Sequence, residues 1–284
     1  MSALLAPLIS ALASAGGLLV DKIILSREQL ALKVFLPLLF VALFLITLVL
    51  TPFFGAVDYD IARLPNNLFL LLLMVVIAIA WNIFFYQSIQ KEKVHQHELI
   101  MMTQPLVTVM LAAVFFPEEL NWLVFVLALV ASVALIIAKT ERAHLKIDRA
   151  AYNLFLAVIL ISVESVIIRE LLYTYSPVAL YAVRTGFIAL FFWAYYHPKW
   201  RRVSTVHYRW VALSALIGVV QMVSRFYAFQ EIGIIYTVLV TVMAPVIIFL
   251  ASWEILHERI RPRVVAGSLV ILVCVAWATI IQFS

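Results

Sequence analysis

Glu164, Arg184 and Arg225 stand in stretches of sequence that are otherwise almost wholly apolar. Around Glu164 the neighbours are Ile161, Val163, Val166 and Ile167. An ionised group deep in hydrocarbon costs about 2.5 kcal/mol or more, so such a carboxylate must face protein or a water-filled cavity. There it exchanges a proton or binds a cation, or it serves as half of a structural ion pair or as a protonated hydrogen-bonding acid. Arg225 has Gln221 one helical turn before it, on the same face. That pair suits a carboxylate or phosphate group. The alternatives for Arg225 are snorkelling to a headgroup and a switchable pair with Glu164. Arg184 is too deep to snorkel; it reads as a structural or gating residue and as the rival partner of Glu164.

Asn82 and Tyr86 share a helix face, with Trp81 beside them. Trp81, Tyr86 and Tyr227 are candidate aromatic walls for an apolar or cationic solute, or else packing and interface anchors. Thr103, Gln104, Thr237 and Thr241 are polar positions near Pro105 and Pro245. Each proline removes the hydrogen bond to the carbonyl four residues back, at Met101 and Thr241. Broken turns of this kind line cavities and act as hinges in transporters, and they also occur as simple kinks. His95 and His97, two positions apart, lie on different helix faces; with Glu98 they read as a solvated loop rather than a metal site. The single Cys274, in an apolar run, supports neither a disulfide nor a metal. No cofactor is expected.

The elements that hold these residues follow from composition. Of 284 residues, 66% are hydrophobic and only 12% charged, against roughly 25% charged in soluble domains. The solvent this implies is lipid. A net charge of +5 would suggest nucleic acid in a soluble protein. Here the basic residues lie in short loops between apolar runs, so no nucleic-acid partner is expected. Roughly 20 apolar residues cross a bilayer core as a helix. Spans are expected near 2–25, 31–54, 67–88, 96–116, 121–138, 151–173, 177–197, 209–230, 234–254 and 263–282. Met1 runs straight into the first of them, without the basic start of a signal peptide. Nearly all lysines and arginines fall in loops after odd-numbered spans, whereas loops after even-numbered spans hold only Arg63. The positive-inside rule puts the odd-numbered loops in the cytoplasm and both termini outside. The localisation expected is a bacterial-type inner membrane.

Two halves are related. Phe85-Tyr86, Pro105 and Glu118 recur in order as Phe226-Tyr227, Pro245 and Glu258, and both Pro105–Pro245 and Glu118–Glu258 are 140 positions apart. Five spans separate the equivalents, an odd number, so the copies must have opposite orientation. The charges agree: the turn at 117–121 has no basic residue, while its counterpart at 257–263 has three. The division expected is a first repeat over 1–140, a cytoplasmic linker over 141–149 and a second repeat over 150–284. The fold class is all-α integral membrane, ten transmembrane helices in a 5+5 inverted repeat. Inverted repeats place a solute site near the midplane between them.

With its doubled aromatic pair, mid-span proline and glutamate-bearing turn, the sequence resembles the EamA family of the drug/metabolite transporter superfamily. Gly267 and Arg184 after Tyr181 extend the likeness; the turn at Pro117 lacks a glycine before Glu118, and His257 stands there in the second half. The resemblance implies a central cavity lined by helices one, three, four, six, eight and nine, with five and ten behind. Such proteins move amino acids, sugars, drugs and other metabolites. The function expected is a secondary transporter, in the export direction, by alternating access, with protons as a candidate coupling ion through Glu164. No phosphate-binding glycine loop suggests drive by ATP. A flippase for lipid or lipid-linked sugar is the alternative. A lipid enzyme is a second, though the usual hydrolase and metalloprotease motifs are missing from the sequence. The partners expected are a small-molecule substrate and the bilayer, for a monomer or a homodimer.

Overall fold

In hydrocarbon a segment must satisfy its own backbone hydrogen bonds, and among the described residues the chain does so with helices. The computed structural model describes residues 5–91, 100–139, 149–198, 203–244 and 262–283. Helix α1 is Leu5–Lys22, continued by a π-helical turn at Ile23–Arg27. Then come α2 (Leu32–Phe54), a short α3 (Tyr59–Ala62), α4 (Pro65–Lys91), α5 (Gln104–Phe115) and α6 (Trp122–Lys139). The second half holds α7 (Arg149–Leu171), α8 (Pro177–Tyr196), α9 (Thr205–Thr241) and α10 (Pro262–Phe283). Six of these, α1, α2, α4, α7, α8 and α9, are long and apolar enough to cross a membrane; α5, α6 and α10 give shorter apolar stretches. Large apolar side chains such as Phe53, Val114 and Ile280 stay exposed on the outside, as a lipid-facing surface requires.

Local chemistry sets the ends. The Asp58 carboxylate accepts the backbone N–H groups of Asp60 and Ile61 at the start of α3. Ser176 caps α8 by accepting from Ala179 N–H, with Pro177 in the first turn, where its missing N–H costs nothing. Helix α9 contains the expected eighth span and the start of the ninth. The two arms meet at Gly233, whose φ of 76° and ψ of 173° belong to a region that glycine alone occupies without strain. Pro245, Glu258, the histidines His95 and His97, Glu98, and all but the last residue of the linker lie outside the described residues.

The principal packing partners come in four pairs: α1 with α9, α2 with α8, α4 with α7, and α6 with α10. Small residues allow two close approaches. Gly17 lies against Ile217 and Gln221 of α9, and Gly186 of α8 lies against the Phe44 ring of α2, where an added Cβ would come within 2.9 Å.

The segments that follow α2, α5 and α7 and the bend of α9 meet at one end. Val57 and Tyr175 form an antiparallel bridge, flanked by Asp58 N–H to Thr174 O and Ser176 N–H to Ala56 O, both 2.9 Å. The turn at Pro117–Glu119 reaches α7 and the bend of α9 at the same end. There the Glu119 carboxylate accepts from Arg169 Nε at 2.6 Å and from Ile234 N–H at 3.0 Å. The Arg169 guanidinium lies 4.5 Å from the Tyr173 ring centre. The segment after α1 and the start of α9 meet elsewhere, with His207 Nε2 3.3 Å from the Glu28 carbonyl oxygen.

Candidate substrate site

Helices α1, α4, α7 and α9 supply most of the wall of a central cavity of about 350 Å³. The chain break just before Pro105 and the end of α9 at Thr241 supply much of the rest. The chain turns at Met102 and Thr103 before α5 begins with Pro105 in its first turn, and Thr103 Oγ1 caps the break by donating to Ile100 O at 2.7 Å. In the second half α9 ends at Thr241, whose Oγ1 donates to Val238 O at 2.8 Å. Met101, Met102, Gln104 and Pro105 from the first break, and Thr241, Val242 and Ala244 from the second, all line the cavity. Hydroxyls that bond to their own helix expose no unsatisfied donor there.

Glu164 is held by three donors. Arg184 approaches it with Nε at 2.7 Å and Nη2 at 3.3 Å, and Trp81 Nε1–H donates at 2.6 Å. The carboxylate and guanidinium side chains are each 3% exposed. Glu164 comes from α7 and Arg184 from α8, both in the second half, and it is the hydrogen bond from Trp81 of α4 that ties this pair to the first half at the cavity wall. Two-point contact through a planar fork holds both groups in fixed orientation. The partner of Glu164 is thus Arg184 and not Arg225. Arg225 instead sets its guanidinium 5.2 Å from the Phe229 ring centre. Gln221, one turn earlier, lines the same wall.

Asn82 and Tyr86 also line the cavity. Asn82 is buried and donates from Nδ2 to Ala78 O at 2.7 Å, so it is committed to its own helix. Tyr86 points to a carboxylate that sequence reasoning overlooked. Its hydroxyl donates to Asp21 Oδ2 at 3.2 Å, and Ser214 Oγ donates to Asp21 Oδ1 at 2.5 Å. Asp21 lies on α1 and is 8% exposed. The signal for it was there, a carboxylate in the run Leu18-Leu19-Val20-Asp21 of an apolar span. Lys22 beside it marks the basic end of that span, and a carboxylate next to a basic end carries no sequence signal of burial. Tyr181, 2% exposed, was missed as well; its ring lies 6.0 Å from the Arg184 guanidinium carbon.

Tyr227 is not among the residues that line the cavity; Phe226 is. Successive helix residues point about 100° apart, and the stripe of α9 that faces inward runs through Ser214, Gly218, Gln221, Arg225 and Phe229. Tyr227 falls off that stripe. Phe226, on its edge, packs edge-on against Tyr181 with ring centres 5.8 Å apart.

No curated protein matches the chain. A solved crystal structure of a protein, 13% identical, superposes with a TM-score of 0.69 over 98% of this chain and 99% of its own. At that identity the likeness concerns the fold alone. The profile of the EamA-like transporter family matches twice in succession, over residues 1–140 and again over 149–280. Two copies of one family unit, built as apolar helices around a shared cavity, account for nearly the whole sequence, and the chain belongs to the EamA-like transporter family.

Proposed function

We propose that the protein is a secondary transporter of a small metabolite, such as an amino acid or drug-like compound, working in the export direction by alternating access around the central cavity. The observation that carries this reading is the cavity itself. It is lined by both family units, walled by the break before Pro105 and by the end of α9, and crossed at its edge by the buried Glu164–Arg184 pair. The reading includes ten spans in a 5+5 inverted repeat. Helix packing supports that count. Exchanging each span with its counterpart five later turns the α1–α9 pair into the α4–α7 pair and returns α2–α8 and α6–α10 to themselves. A two-fold relation between halves produces this pattern; a chain of unrelated helices has no reason to. The arginine-poor end, where Arg63 is the loop's basic residue, would then face outward and the lysine- and arginine-rich loops the cytoplasm.

The test is flux of labelled metabolites into proteoliposomes, with and without an imposed pH gradient. Saturable flux that requires the protein is expected. Flux that appears only for lipid analogues would favour a flippase and defeat the metabolite reading. Proton coupling through Glu164 is a separable part: gradient-driven flux unchanged in Glu164→Gln would remove it, leaving passive exchange or another acid.

A further inference from the structure

Asp21 and Glu164 hold equivalent places in the two halves. Val20-Asp21-Lys22-Ile23-Ile24 matches Val163-Glu164-Ser165-Val166-Ile167, and each stretch runs on into an Arg-Glu pair, at 27–28 and at 169–170. Packing agrees with the sequence. Glu164 of α7 accepts from Trp81 of α4, and Asp21 of α1 accepts from Ser214 of α9. Exchanging each span with its counterpart turns the first contact into the second.

The two acids differ in what answers their charge. Glu164 has the Arg184 guanidinium from α8. The counterpart of α8 is α2, whose one charged residue is Lys33, in its first turn. In place of a guanidinium Asp21 has two hydroxyls, Ser214 Oγ at 2.5 Å and Tyr86 Oη at 3.2 Å. All three residues are buried. Among the described residues no lysine, arginine or histidine lies within ion-pair distance of Asp21. Lys22, next to it on α1, points about 100° away. Tyr86 is the titratable group that faces it from α4. His207 of α9, two turns before Ser214, is turned to the Glu28 carbonyl. Farther along the cavity wall stand Tyr181 and Arg184 of α8, Glu164 of α7 and Arg225 of α9. Arg184 is committed to Glu164, and Arg225 lies eleven residues beyond Ser214, about 16 Å along the helix axis. Hydroxyls orient a charge without neutralising it, and a lone buried charge is costly until a cation joins it.

The seam between α1 and α9 leads to this carboxylate. Ser10, Ser14, Gly17 and Asp21 follow one another at helical spacing on α1, and all four line the cavity. At Gly17, where a side chain is missing, Gln221 Oε1 of α9 comes within 3.8 Å of the place a Cβ would take. The seam therefore presents a row of oxygens: two serine hydroxyls, an amide oxygen, and the carboxylate with its own two hydroxyls. Oxygen is the ligand that hard cations take.

We propose that Asp21, with the hydroxyls of Ser214 and Tyr86, is the site of an exchangeable coupling cation, a proton or a sodium ion, which does for the first half what Arg184 does for the second. This rests on the transport reading and names the other acid that the Glu164→Gln experiment leaves open. A proton binds a carboxylate oxygen and makes Asp21 a donor to one of the hydroxyls. A sodium ion is held by the carboxylate and by hydroxyl lone pairs. Both cations are tested on the purified full chain. The sodium arm is thermal stabilisation by sodium chloride against choline chloride at equal ionic strength, read by mass action. The proton arm is the carbonyl stretching band of a protonated carboxyl group, followed by infrared difference spectroscopy on acidification in choline chloride. One of the two signals is expected in the wild type. Asp21→Asn is expected to abolish it, and Ser214→Ala to weaken cation binding about twofold to tenfold, the worth of one hydroxyl contact. Asp21→Glu, which keeps the charge, is expected to retain it even if ligand-free melting drops. Neither signal in the wild type, or a signal that Asp21→Asn leaves in place, overturns the proposal. In proteoliposomes, flux is expected to follow the gradient of the same cation and to lose that dependence in Asp21→Asn. Protein-dependent flux that neither gradient alters would overturn the coupling site and leave transport standing. A cation signal lost in Asp21→Asn, with no flux of any solute, would sink the transport reading and leave the site.

Discussion

Replacing Arg184 by glutamine leaves the Glu164 carboxylate with one donor, Trp81 Nε1–H, in place of three. Both side chains of the pair are 3% exposed, so the guanidinium, more than water, balances the carboxylate. Removing one partner of a buried pair costs about 3–5 kcal/mol, most of it for the charge left behind. Replacing both, as Glu164→Gln with Arg184→Gln, removes the stranded charge and leaves two amides able to bond each other. The double variant should therefore cost less than the two singles combined, with a coupling of about 2–3 kcal/mol. Reversible unfolding in mixed micelles, titrated with dodecyl sulfate and followed by tryptophan fluorescence, measures all three differences. Single costs below about 1 kcal/mol would mean that the pair behaves like an exposed one. Costs that add within about 0.5 kcal/mol would mean that the two groups do not depend on each other. Either result would refute the argument that this pair is what makes Glu164 tolerable in the core.

Gly233→Ala should destabilise by about 1–3 kcal/mol in the same assay, because a φ of 76° with an extended ψ is strained for any side chain and its Cβ would meet the Glu119 carboxylate. Gly186→Leu should cost about 1–3 kcal/mol by forcing the Phe44 ring of α2 away from α8, with Gly16→Leu, which faces open space, as the contrasting variant. Cysteines at Val57 and Tyr175 should cross-link spontaneously on oxidation, since the two form a bridge without direct hydrogen bonds between them and such pairs bring Cα atoms to about 4.5 Å. The native Cys274 is buried and should not compete.

Much of the fold was legible because lipid leaves few choices: long apolar runs must be helices, and charged turns must separate them. The division between 230 and 234 was harder. Glu231 and Gly233 look like a loop, yet the chain turns there within a single left-handed residue and α9 runs on through it. Of the site, Glu164 could be found because an isolated carboxylate in an apolar span has a known cost. Asp21 could not. What buries it comes from Ser214, 193 positions away, and Tyr86, 65 away, and periodicity along one helix carries no news of either. Tyr227 and Phe226 show the same limit at short range. The repeated aromatic pair marks the position, but which ring of the pair turns inward depends on the rotation of α9 against its neighbours.

The pairing of helices bears on how the chain is made. Among the described residues α1, α2, α4 and α6 each find their principal partner in the second half. The first half therefore leaves the ribosome before the principal partners of its helices exist. Its spans must wait in the bilayer with their inner faces, including the Asp21 carboxylate and the Trp81 indole, covered by lipid, water or insertion machinery. Assembly can finish only when α7 to α10 have joined spans already in place. A truncated first half should for this reason be a substrate for membrane quality control rather than a smaller working unit, and two halves made as separate chains should rescue one another.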